Sequence, residues 1–152
     1  MNFLIELSKS NPFLSCFICG LLTPAIFAPY FFTPSLVFIA WFAFILSKAP
    51  SIKEGFWIGY YYGFGYFLTG LYWISVGVSV YREEFWWAIP IAFIGLPLFF
   101  AQFFGLVGII SYIFSKRILY PNSFAAAWVF AEWLRTWVYT GFPWNSAGDS
   151  LS

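Results

Sequence analysis

Residues 51–78 read SIKEGFWIGYYYGFGYFLTGLYWISVGV, and this stretch decides the fold. It opens with Ser51 and Glu54 at the Ser-x-x-Glu spacing of a capping box, in which each side chain satisfies a backbone N–H left free at a helix start. A helix is therefore expected from Ile52 to about Val78. No charge occurs between Glu54 and Arg82, which leaves room for a membrane span of about 20 residues. Gly55, Gly59, Gly63, Gly70 and Gly77 fall within roughly an 80° arc at about 100° per residue. Such a stripe lets a neighbouring backbone approach closely, which is how helices associate where lipid removes the usual hydrophobic driving force. A groove for a lipid tail is the other reading of the same glycines.

The rest of the chain has the same character. It is 62% hydrophobic, 27% aromatic and 9% charged, whereas a soluble globular chain carries about a quarter charged residues. Lipid is the expected solvent. Seven Lys or Arg against six Asp or Glu leave almost no net charge, so no electrostatic footprint for nucleic acid exists. Without a histidine there is no Ser-His-Asp or Cys-His arrangement and no plausible zinc site. No Walker loop occurs, and no catalytic set, metal site or cofactor site is expected. Cys16 and Cys19 lie inside an apolar run and read as inert buried thiols.

Charge-free windows also separate Lys9 from Lys48 and Glu84 from Lys116. The expected fold class is all-α, a polytopic transmembrane helix bundle of about five spans forming one membrane domain over 1–152. The expected helices are 12–28, 34–48, 52–78, 85–115 and 123–139. Pro12 suits a first helical position and Pro24 implies a kink. Thr33 is the expected N-cap of the second helix. Pro90 and Pro97 should distort the fourth, where Gln102 is the one strongly polar deep residue. Alternate loops put Lys9, Lys48, Lys53, Lys116 and Arg117 on one face, against Arg82 on the other. The positive-inside rule then places the N-terminus in the cytoplasm and residues 140–152 on the opposite, periplasmic side.

Glu132 and Arg135 stand three apart on the fifth helix and so share a face. From Ser123 they lie about 14 Å and about 18 Å along the axis, inside a hydrocarbon layer about 30 Å thick. Ionisable residues at that depth are costly, and they mark function or a specific structural need. One reading is a self-neutralising pair that orients the helix. The other is that Arg135 faces a lipid phosphate while Glu132 holds its guanidinium, using the bidentate geometry of arginine. The following Thr140-Gly141-Phe142-Pro143-Trp144-Asn145 breaks the helix and stays apolar enough for the membrane surface. Gly141, Phe142, Pro143 and Trp144 read either as an interfacial anchor or as a lipid-binding or docking loop.

The runs Gly55-Phe56-Trp57, Gly63-Phe64-Gly65-Tyr66-Phe67 and Gly70-Leu71-Tyr72-Trp73, with Glu132-Trp133-Leu134-Arg135 and Thr140-Gly141-Phe142-Pro143-Trp144-Asn145 downstream, resemble apolipoprotein N-acyltransferase. The Phe27-Ala28-Pro29-Tyr30 turn fits as well. The resemblance implies an inner-membrane enzyme of lipoprotein biosynthesis whose helices hold lipid beneath a periplasmic nitrilase-like domain with a Glu-Lys-Cys triad. In that family an acyl chain passes from phospholipid through the Cys to the free amine of a lipoprotein's N-terminal diacylglyceryl-cysteine. Neither Cys16 nor Cys19 matches the nucleophile, because both precede any such domain and lie in the first helix. The chain therefore reads as a truncated or split acyltransferase supplying only the lipid-facing membrane part, inactive alone. Its implied partners are the phospholipid bilayer and a separately encoded nitrilase-like domain or a lipoprotein substrate. The alternative is a small non-enzymatic membrane protein, a lipid-binding accessory or transporter-like subunit.

Overall fold

A computed structural model describes residues 2–27, 30, 32–114 and 120–138. Every regular element among them is helical. Helix α1 (Asn2–Ser10) precedes the first expected helix, and Glu6 and Lys9 form an exposed ion pair of 3.2 Å on it. Asn11 then separates it from α2 (Pro12–Leu22). The Asn11 side chain accepts a hydrogen bond from Leu14 N at 3.0 Å, and Pro12 occupies the first turn, where its missing N–H costs nothing. Around Pro24 the helix tightens into a 3₁₀ turn, Thr23–Ile26.

The second expected helix starts differently from its prediction. Thr33 does not cap it; it lies inside a 3₁₀ turn, Thr33–Leu36, that makes no side-chain cap. Ser35 does the local work, donating to Phe32 O at 2.8 Å and to Thr23 O at 3.2 Å. Helix α3 (Val37–Ser47) follows.

The sequence predicts one helix over 52–78, and the structure divides it. Helix α4 (Ile52–Gly70) begins where Ser51 Oγ accepts from Glu54 N at 3.2 Å. It ends at Leu71, whose φ of −109° and ψ of 6° leave the helical basin, and α5 (Tyr72–Ser79) continues from there. Thr69 sits just before the break and bonds the carbonyls of Gly65 and Leu21. Its side chain thus ties this turn to α2, and Gly70, a poor helix former, gives way.

The fourth expected helix is likewise segmented into α6 (Arg82–Phe85), α7 (Ala88–Pro90), a π turn (Ile91–Gly95) and α8 (Leu96–Phe114). In the π turn Leu96 N–H bonds Ile91 O. The cause is Pro97: it cannot donate to residue 93 and its ring crowds that carbonyl, so the chain widens by one residue there. Ala88–Phe114 is the one helical stretch among the described residues long and apolar enough by length and composition to cross a membrane; Pro12–Ile26 and Thr33–Ser47 are shorter apolar helices. Helix α9 (Tyr120–Trp137) starts before the expected Ser123, with Pro121 accommodated in its first turn.

Helix α4 is central, with α8 along one side and α2 along another. A Cβ at Gly59 would strike the Phe104 carbonyl, one at Gly55 would lie 3.0 Å from Gly108 O, and one at Gly63 would lie 3.1 Å from Ala101 Cα. The order of these contacts makes α8 antiparallel to α4. Toward α2, Gly65 meets Phe17 O and Gly20 meets Tyr62 O. Gly77, on α5, has nothing within 4 Å of its Cβ position. Phe13 pairs with Tyr61, Phe17 with Phe64 and Leu21 with Thr69, so α2 runs parallel to α4. Helix α3 returns between them: Trp41 Nε1 donates to Ser15 Oγ, and Phe42 stacks on Tyr62 at 4.0 Å. Helix α9 lies on α8 and runs with α4, since Phe124 meets Phe42 near its start and Arg135 meets Phe67 near its end. Taken in order, α2, α3, α4, α8 and α9 alternate in direction.

Candidate functional site

The inner face of α9 carries Phe124, Ala127, Trp128, Ala131 and Arg135, a spacing of three and four residues that keeps them on one helical stripe. Four of the five are apolar or aromatic core. Arg135 ends the stripe and is only 2% exposed. Its guanidinium carbon lies 5.1 Å from the centroid of the Phe67 ring on α4. A planar cation over an aromatic face is attracted by the ring quadrupole, and the attraction strengthens when both are out of water.

Glu132, one turn earlier, is partly buried, and its Oε1 accepts from Trp128 Nε1–H at 2.9 Å. The indole is itself fixed. It meets Phe104 edge-on at 4.8 Å and 81°, and Tyr66 at 6.3 Å and 90°. The carboxylate therefore has a donor whose ring is clamped between α4 and α8. Glu132 and Arg135 border one small cavity with Trp128, Phe67 and Phe103. Its free space is about 10 Å³, room for about one water molecule. That volume is too small for a lipid headgroup, and Arg135 presents its guanidinium to Phe67 on α4.

Sequence reasoning singled out Glu132 and Arg135 but missed both of the rings that hold them. Trp128 was within reach of inference, because it precedes Glu132 by one helical turn. Phe67 was not, because only the packing of α9 against α4 brings it to Arg135. Gln102 is partly buried on α8. Cys16 and Cys19 are buried free thiols on α2. Gly141, Phe142, Pro143 and Trp144 lie outside the described residues, as do Lys116 and Arg117.

Fold and site together define a bundle of apolar helices that keeps an arginine inside its aromatic core. Residues 19–152 match the family model described as the apolipoprotein N-acyltransferase N-terminal domain, and the chain belongs to that family. The apolipoprotein N-acyltransferase of Rickettsia bellii is 42% identical over 142 residues, covering 93% of this chain and 28% of the relative. That of Rickettsia typhi is 42% identical over 137 residues, covering 90% and 28%. The Allorhizobium ampelinum protein is 37% identical over 129 residues, covering 80% and 24%. The chain thus spans about a quarter of the length of these relatives.

Proposed function

We propose that residues 1–152 form the membrane-embedded, lipid-facing part of an apolipoprotein N-acyltransferase. In this reading the bundle sits in a bacterial inner membrane with five spans, its N-terminus in the cytoplasm and the end of α9 at the periplasmic face. The acyl transfer itself, from phospholipid to the N-terminal amine of a lipoprotein, uses a Glu-Lys-Cys set that these residues do not supply. Their only thiols, Cys16 and Cys19, are buried in α2.

The observation that carries this reading is an inversion of polarity. Along most of α9 the large outward side chains are Val129, Phe130, Trp133 and Trp137, at 63%, 44%, 53% and 72% exposure, with Asn122 exposed near its start, while the arginine is inside. Water would penalise that arrangement, whereas a hydrocarbon solvent favours it. The alternation of α2, α3, α4, α8 and α9 supports five crossings, and the exposed charges Lys48 and Lys53 gather at the end opposite Arg82, Glu83 and Glu84.

Within the enzyme, Arg135 and Glu132 act as positioning residues. They dock α9 onto α4 and α8 and so fix where Gly141, Phe142, Pro143 and Trp144 leave the bundle toward lipid and lipoprotein. The test is fractionation of cells expressing the chain, followed by an N-acylation assay on a diacylated lipopeptide. Retention in membranes after alkaline carbonate extraction, with no turnover, is expected. Recovery in the soluble fraction contradicts the membrane assignment, and turnover by residues 1–152 alone contradicts the assignment of chemistry.

A further inference from the structure

At the end of the bundle where α1 meets α2 and α3 hands over to α4, a groove of about 220 Å³ opens between Lys9 and Pro12 on one side and Phe44 and Lys48 on the other. Its deep wall is apolar, formed by Ile45 and Ile58, which are 5% and 2% exposed. The Lys48 ammonium lies 4.1 Å from the centroid of the Phe44 ring, so it is held at the rim and not trailing in solvent. The Lys9 ammonium is 3.2 Å from Glu6, with both side chains mostly exposed, a weak hold that leaves it available to a second anion. Glu54 faces the same groove from the first turn of α4.

We propose that this groove binds the headgroup of an anionic, hydroxyl-bearing phospholipid from the adjoining leaflet. The two lysines take the phosphate as point charges, a role lysine fills without needing planar geometry. The Glu54 carboxylate accepts from a headgroup hydroxyl, which a second anionic group could not offer it. Phe44, Ile45 and Ile58 meet the start of the acyl chains. Charge complementarity argues for the occupant: Lys9 and Lys48 against Glu54 leave the lining net positive, and cationic pockets between helices on the cytoplasmic side attract anionic headgroups. The inference rests on the membrane reading above, and it adds a lipid contact at the face opposite the end of α9.

The chain is expressed in membranes, extracted, and loaded with phosphatidylglycerol and phosphatidylcholine in equal amounts; the lipid retained is then counted by mass spectrometry. The native sequence retains phosphatidylglycerol in preference. Lys9→Gln and Lys48→Gln each reduce that preference about fivefold, the weight of one lysine at an anionic surface. Lys53→Gln, which removes an exposed charge at the same end but outside the groove, leaves the preference unchanged. No preference in the native chain overturns the inference, and so does a loss in Lys53→Gln equal to that in Lys48→Gln, because general surface charge then accounts for the binding. A chain absent from the membrane fraction overturns the membrane reading itself, before any lipid is counted.

Discussion

At the scale of single residues, the weight falls on how an arginine and a glutamate are held inside an aromatic core. Trp128 gives Glu132 its hydrogen bond at 2.9 Å. Trp128→Phe keeps the ring contacts with Phe104 and removes the donor, so the partly buried carboxylate loses that hydrogen bond. It is expected to lower stability by about 1–3 kcal/mol, read from denaturant unfolding in detergent. Arg135→Lys keeps the charge and loses the planar guanidinium over Phe67, 5.1 Å from the ring centroid. A desolvated cation–π contact is worth about 2 kcal/mol, and a lysine recovers only part of it, so this variant should unfold earlier in lipid-free detergent. Unchanged stability together with a loss of phospholipid binding would instead make Arg135 a phosphate ligand. The sequence alone identified these two residues because charges are conspicuous in so apolar a chain. Their direction was not legible, since a helical wheel for α9 does not say which neighbour each face meets.

At the scale of elements, α4 is built for close approach on two sides. Gly55, Gly59 and Gly63 face α8, while Gly65 faces α2. The stripe at a spacing of four was visible in the sequence. Gly65 was not part of it, because it lies on the α2 side of the same helix and matters only once Gly20 is known to cross there. Gly77 fits the stripe on an ideal helical wheel, but the break at Leu71 removes it from the common axis and leaves it open. A wheel assumes an uninterrupted helix, and the tie from Thr69 to Leu21 that accompanies the break is a tertiary contact. The two glycines therefore behave differently under the same substitution. Gly59→Ala places a methyl group on the Phe104 carbonyl and is expected to cost about 1–3 kcal/mol by forcing α4 and α8 apart. Gly77→Ala is expected to be neutral or stabilising by up to about 1 kcal/mol, from reduced backbone freedom in the unfolded chain. Unfolding midpoints of the two variants, measured side by side, check the contrast.

For the whole molecule, composition made an all-helical chain legible at once, and the charge-free windows placed its apolar segments. Helix ends were less legible. Prolines at 24, 90 and 97 announced distortion, yet a proline's position does not say whether the chain answers with a 3₁₀ turn, as at Thr23–Ile26, or with a π turn, as at Ile91–Gly95. The central claim is that the alternating helices cross a membrane, with the α3–α4 connection and the α5–α6 connection on opposite sides. Pro50 and Tyr81 are exposed in those two connections, and the native thiols Cys16 and Cys19 are buried. Single substitutions Pro50→Cys and Tyr81→Cys, probed in intact spheroplasts with a membrane-impermeant maleimide, test the claim directly. The account predicts labelling of the Tyr81→Cys protein, with the Pro50→Cys protein labelled only after the membrane is opened; labelling of both without lysis would contradict it.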